Sequence, residues 1–194
     1  MNANYLLKQS STKNFIIILL IPIIVQFALI NLVQSVSDER LYYLIFALFG
    51  LLFLPYFYWL NIVVNFLINH SNKYFKLKLK NFKVSLIINI IVVFNFVFFA
   101  AYSFNLVFKG SEPSDEIFLY VGLIQFIGVL SFSYTSYFIS KLILTIELKR
   151  NVCFSDIIGN LAVFSFPPIA LWTIHKKING IQLNSKTQLR KEFL

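Results

Sequence analysis

The chain has 194 residues, of which 58% are hydrophobic and only 13% charged, and its formal net charge is +9. Soluble domains carry about 25% charged residues, and a water-soluble fold this apolar would expose more hydrocarbon than water tolerates, so the composition excludes one. The basic residues sit between apolar runs with no nucleic-acid-binding motif around them, which directs the positive charge toward anionic lipid headgroups and away from nucleic acid.

The 23 Phe and 10 Tyr exceed what a soluble core of this size would hold, whereas lipid accepts aromatic rings readily. Cys153 is the single cysteine, so no intrachain disulfide staples the fold. Lys far outnumbers Arg, and Ile, Asn and Phe are abundant. That bias suggests an AT-rich bacterial genome and lowers the information carried by any one Asn or Lys.

Five apolar runs follow in chain order, here segments A to E: 15–33, 41–68, 84–108, 117–146 and 157–174. A hydrocarbon core of about 30 Å needs roughly 20 helical residues. A meets that length narrowly, B, C and D comfortably, and E falls short. Inside lipid no water satisfies backbone N–H and C=O groups, so each run must satisfy its own. Transmembrane strands would alternate apolar and polar residues. Segment A, which begins Phe15-Ile16-Ile17-Ile18-Leu19-Leu20, does not. Helices are expected throughout.

Residues 1–14, with Lys8 and Lys13, form a short basic N-terminus ahead of A. A cleaved signal peptide is the other reading of A, with Ser35-Val36-Ser37 as its cleavage site. The 19-residue run exceeds the 7 to 15 residues usual for such a core, so a retained anchor is favoured. Serine with acidic neighbours precedes three segments: Ser37-Asp38-Glu39 before B, Ser114-Asp115-Glu116 before D, and Ser155-Asp156 before E. Each is expected to cap a helix, with its acids complementing the dipole. The match before B and D hints at a repeated hairpin, but Pro55 in B has no counterpart in D.

Between B and C lie Lys73, Lys76, Lys78, Lys80 and Lys83, four of them at helical spacing and interleaved with Phe75, Leu79 and Phe82. Such a segment suits the membrane interface and anionic headgroups, or serves only to fix topology. Short-loop Lys and Arg are retained in the cytoplasm. Nine basic residues before A, between B and C and between D and E, against Arg40 and Lys109 in the other two loops, place the N-terminus inside.

Segment E conflicts with that arrangement. If E spans, the basic tail 175–194, with Lys176, Lys177, Lys186, Arg190 and Lys191, lies outside, against the rule. E is also the shortest run and holds Pro167-Pro168, which removes two backbone donors and breaks or kinks a helix. A re-entrant or interfacial element, anchored by Trp172 and Lys176, is favoured over a kinked fifth span.

Segments A, B, C and E carry no charge, and D only Lys141, near its cytoplasmic end, where the stem can reach the headgroups. His70, Cys153 and His175 show no metal-ligand spacing, and nothing nearby marks an activated thiolate, so neither a metal site nor catalysis is expected. The most specific polar pattern is Asn61, Asn65 and Asn69, four apart on one helix face, supplemented by Asn89, Gln125 and the Ser131–Ser140 hydroxyls. It reads as a polar interhelical face, either hydrogen-bonding glue or a solute path, with glue favoured. Gly122 and Gly128 are expected to allow close helix approach.

The stretch Ile139-Ser140-Lys141, Glu147-Leu148, Phe154-Ser155-Asp156, Phe166-Pro167-Pro168-Ile169, Trp172 and Ile178-Asn179 resembles the C-terminal part of a group of uncharacterised bacterial multi-spanning membrane proteins. The resemblance covers under a quarter of the chain and implies no activity. It does imply that the Pro-Pro region and Trp172 are structural.

The fold expected is an all-α integral membrane helical bundle: a single membrane domain, 15–174, with four transmembrane helices and a Pro-Pro-broken C-terminal element, re-entrant, interfacial or a fifth helix. The function expected is that of a non-enzymatic accessory protein of the bacterial inner membrane, needing no cofactor, with the lipid bilayer and a membrane-protein partner or homo-oligomer as contacts. A permeation protein using the polar face is the alternative.

Overall fold

The computed structural model describes residues 7, 9–35, 39–71, 75–164 and 166–192. Among these there is no strand, and four helical stretches are long and apolar enough to cross a membrane: Ser11–Asn31, Arg40–Asn69, Leu79–Phe108 and Asp115–Leu148. The fold is an all-α membrane fold, as its composition requires. Helices of 30 and 34 residues reach about 45 to 51 Å, more than the hydrocarbon core, so their ends extend into the headgroup layers or the helices tilt.

The first crossing consists of α1 (Ser11–Phe15), a π-helical turn (Ile16–Leu20) and α2 (Ile21–Ser35). Pro22 explains the wider turn. It has no N–H to return to residue 18, and a π-bulge absorbs the interruption. Ser10 caps α1, its hydroxyl accepting from the Lys13 amide at 3.3 Å. The second crossing is broken by Pro55 into α3 (Glu39–Leu51) and α4 (Leu54–Asn69). There the chain passes through tighter turns, with Phe53 N–H donating to the Gly50 carbonyl at 3.2 Å and Tyr56 N–H to the Phe53 carbonyl at 3.1 Å. The third and fourth crossings, α5 (Leu79–Phe108) and α6 (Asp115–Leu148), are unbroken.

The cap expected at Ser37-Asp38 lies outside the described residues, and so does the small-residue cleavage site around Val36. At α6 the Ser114 carbonyl accepts the first helical bonds, from Ile117 and Phe118, and Asp115 and Glu116 fill the first turn as expected. Before segment E the expectation is corrected. Helix α7 (Phe154–Phe164) already begins at Phe154, so Ser155 sits inside its first turn. Cys153 is the cap, and Asp156 reaches back to accept its backbone N–H at 3.0 Å, as the acid of a capping box does. The Arg150 guanidinium, bonded to Asp156 at 3.1 Å, and then that amide hold this exposed carboxyl below its usual range. Helix α8 (Pro167–Glu192) follows, and the chain turns through 119° between α7 and α8.

The fold divides into two compact units. One comprises Met1–Leu19, Trp59–Leu77 and Ser136–Leu194; the other comprises Leu20–Tyr58 and Lys78–Thr135.

The first unit is the more completely closed. Of the eleven largest fully buried side chains among the described residues, all but Phe82 belong to it, including Trp59, Phe138, Leu142, Ile157, Leu171 and Ile178. Helix α8 seals it, with Trp172 edge-on to Phe15 at 6.2 Å and Lys177 paired to Glu147 at 2.9 Å.

In the second unit α3 and α5 run antiparallel. Tyr42 meets Phe108 at 5.5 Å and Phe46 meets Phe104 at 5.6 Å, and Ile45, Phe49, Val97 and Ala101 fill the seam. Phe99 against Phe118 at 5.4 Å, together with contacts between Val92 and Gly128, sets α5 antiparallel to α6. Gly128 does permit close approach: a Cβ there would stand 2.5 Å from Val92 Cγ1. Gly122, expected to do the same, faces open space. The difference is one of helix face, since six residues are not a whole number of turns.

These two glycines give opposed expectations. Gly122→Ala should leave thermal stability in detergent unchanged or raise it by up to about 1 kcal/mol, through helix propensity alone. Gly128→Ala should lower it by about 1 to 3 kcal/mol, because Val92 is β-branched and cannot swing aside. Unfolding midpoints of the two variants, read side by side, check this.

Candidate functional site

In the second unit the polar residues of α5 and α6 form a closed network. Ser85 Oγ lies 2.7 Å from the Ser131 carbonyl and 2.8 Å from Thr135 Oγ1. Ser131 Oγ donates to the Ser85 carbonyl at 2.9 Å, the Asn89 amide donates to Thr135 Oγ1 at 3.1 Å, and Thr135 reaches the Ser131 carbonyl of its own helix. All four side chains are buried. Serines and threonines four residues apart project from one face, so two antiparallel helices mesh there with hydroxyls small enough to let the backbones approach. Asn89 is thus a member of an interhelical lock.

Asn61 and Asn65 belong to the first unit. Asn65 donates to the Asn61 carbonyl at 2.8 Å and lies 3.3 Å from its side-chain oxygen, so this amide is satisfied along its own helix. Both are half-buried, and Asn69, the third of the series, is exposed.

Gln125 lies elsewhere again in the second unit. With Gln26 it lines a cleft of about 300 Å³ whose other walls are apolar or aromatic, including Phe46, Phe49, Phe53 and Phe96. The Gln125 amide nitrogen is buried and has no acceptor among the described residues. Nothing in the sequence pairs Gln26 with Gln125. Yet Gln26 and Asn31 are the two polar residues of segment A, and Asn31 bonds to the Phe27 carbonyl of its own helix. Gln26 is the one left facing the cleft.

Among the lysines, Lys73 lies outside the described residues. Lys76 is exposed in the first unit, and Lys78, Lys80 and Lys83 are exposed in the second. The helical spacing across this stretch is not expressed as one helix. Residues 75–78 carry no regular structure and α5 begins at Leu79. Lys78 is therefore the cap residue of α5, and it makes no side-chain cap bond, while Lys80 and Lys83 occupy the first turns. Cations at a helix N-terminus oppose its dipole by about 0.3–1 kcal/mol each near the surface.

A further polar node was not legible in the sequence. Asn14 and His175, 161 residues apart, are both fully buried in the first unit. The Gln9 carbonyl lies 2.6 Å from His175 Nε2, so that nitrogen carries the proton, and Nδ1 accepts from the Asn14 amide at 3.2 Å. His70, by contrast, is exposed and bonds to the Phe66 carbonyl of its own helix at 2.9 Å. Cys153 is exposed, and among the described residues no three of His, Cys, Asp and Glu gather closely enough to hold a metal. Lys141 leans on Tyr137, its Nζ 3.3 Å from the phenol oxygen and 5.6 Å from the ring centre.

The α5–α6 lock sets its own test. Ser85→Ala and Ser131→Ala, singly and together, should show a coupling of about 0.6 kcal/mol and no more than about 1.7, the range for hydrogen bonds between membrane helices. Unfolding in mixed detergent micelles reads it. Comparison with protein-family models, with curated proteins and with solved structures finds no match to this chain.

Proposed function

We propose that this chain is a non-enzymatic integral protein of the bacterial inner membrane, with its N-terminus in the cytoplasm, that acts as an accessory subunit through helix contacts. The observation that carries this reading is the closed network of Ser85, Asn89, Ser131 and Thr135. It uses these four buried side chains to hold α5 to α6, which leaves them unavailable as a file of solvating groups. Asn65, satisfied by Asn61, likewise argues for a structural role over a permeation path.

Outward-facing apolar surface supplies the means. On α6 the side chains of Leu119, Leu123 and Phe126 are each at least 60% exposed, available to lipid or to a partner's helix. At the other end of the α5–α6 hairpin, anionic headgroups would offset the misfit of Lys78, Lys80 and Lys83 with the α5 dipole.

The His175 node supports a re-entrant C-terminal element. Four crossings return the chain at Leu148 to the side on which it began. His175 is bonded to Gln9 and Asn14, at the start of the first crossing, and so lies on that same side. The stretch between them starts and ends at one face. Eleven residues of α7 reach about 16 Å, half the hydrocarbon depth, before the 119° turn at the prolines sends the chain back. Both termini are then cytoplasmic, and the basic tail obeys the charge rule.

A fluorescent-protein fusion at either terminus, which matures only in the cytoplasm, should be bright. A dark C-terminal fusion would mean that α7 and α8 cross. For the function, a photo-crosslinking amino acid at Phe126 should capture a distinct protein in native membranes. Purified protein in liposomes that speeds the passage of ions or small polar solutes over protein-free vesicles would refute the accessory role.

A further inference from the structure

We infer that the cleft in the second unit is a binding site for an uncharged, lipid-soluble ring compound bearing carbonyl oxygens, of the quinone type. This inference does not rest on the accessory role. It stands on the wall chemistry, on one unsatisfied donor and on depth.

Nine of the eleven residues lining the cleft are hydrocarbon or aromatic and the other two are glutamines, Gln26 and Gln125. Concave, mostly apolar pockets with a few polar groups are the usual form of small-ligand sites, and about 300 Å³ lies at their lower limit. That space suits a ring head, with its tail left in the surrounding lipid through the open side. Phe46, Phe49, Phe53 and Phe96 offer faces and edges against which a flat ring packs.

The amide nitrogen of Gln125 is buried without an acceptor among the described residues. Such a group costs about 1 to 3 kcal/mol while it stays unpaired, and a turn of the side chain that brings it to the cleft wall lets an entering acceptor remove that cost. A half-turn of the terminal amide exchanges its oxygen and nitrogen, so Gln125 and Gln26 can each present a donor to a carbonyl.

Depth selects the source of that carbonyl. Gln125 lies eight residues into segment D from Ile117, and Gln26 seven residues short of Val33 at the end of segment A. At 1.5 Å per residue both amides sit about 10 to 12 Å inside the apolar run. The ester carbonyls of a phospholipid belong to the headgroup boundary, above that level, and its acyl chains carry no acceptor. An ion or a sugar would need far more polar partners than two amides. A neutral ring with carbonyls, soluble in the hydrocarbon itself, matches both depth and donors.

The test uses the full chain in nanodiscs of phosphatidylethanolamine and phosphatidylglycerol, with a tritiated decyl-substituted benzoquinone as probe and dodecylbenzene, which lacks carbonyls, as competitor. Saturable binding is expected that dodecylbenzene fails to displace. Gln125→Leu should weaken it about tenfold, the worth of one buried hydrogen bond, and Ala100→Phe, which fills the cleft, should abolish it. Gln125→Leu removes an unsatisfied amide and preserves the fold, so its result stands even if Ala100→Phe does not fold. Three results would overturn the inference. One is the absence of saturable binding. Another is equal displacement by dodecylbenzene, which would mark an acyl-chain groove. The third is unchanged affinity in both variants, which would place the probe elsewhere.

Discussion

Every feature of this protein follows from the absence of a competing hydrogen-bond partner in the bilayer. A peptide group that cannot turn to water must bond within its own helix, and this single demand converts long uncharged stretches into α-helices whatever their intrinsic propensity. Segments rich in Ile, Val and Phe, mediocre helix formers in water, become helices of 30 and 34 residues here. Two interruptions within the crossings have a local cause. Pro22 and Pro55 each delete a donor, and the chain answers with a π-turn in one case and tight turns in the other.

The same demand governs side chains. Ser85 and Ser131 satisfy themselves on each other's carbonyls across the α5–α6 seam, and Thr135 on Ser85 and on a carbonyl of its own helix. Asn31 and Asn65 satisfy themselves on carbonyls one turn back in their own helices. Membrane proteins lack a hydrophobic force to press helices together, so such bonds and the small residues beside them carry much of the specificity. Gly128 against Val92 is the steric part of that seam and the hydroxyls are its polar part. The two units differ in how far they take this. The unit containing α7 and α8 encloses most of the largest fully buried side chains among the described residues, while the other holds an aromatic-walled cleft.

Helix identity and number were legible because charge-free length is a one-dimensional signal that needs no tertiary context. Asn89 and the hydroxyl group of α6 were visible as polar residues in apolar runs, but which carbonyls they would meet depends on register between helices, and sequence periodicity does not encode it. The lysine spacing at 73, 76, 80 and 83 suggested one amphipathic helix; residues 75–78 break that pattern because α5 starts only at Leu79. Ser155 looked like a cap because serine commonly is one, whereas the cap is set by Asp156 reaching back to Cys153. In the sequence Asn14 closes the basic N-terminus and His175 opens the basic tail. No local signal joins residues 161 positions apart.

That separation bears on how the chain is completed. The α5–α6 hairpin is joined by a short loop, and its hydroxyls can mesh as soon as the pair has entered the bilayer, since nearby segments meet early. The node at His175 has no such freedom. Helix α1 is made long before α8, yet its buried asparagine finds its ring only after α8 has left the ribosome. An early segment is therefore secured late, by the closing of α8 over it.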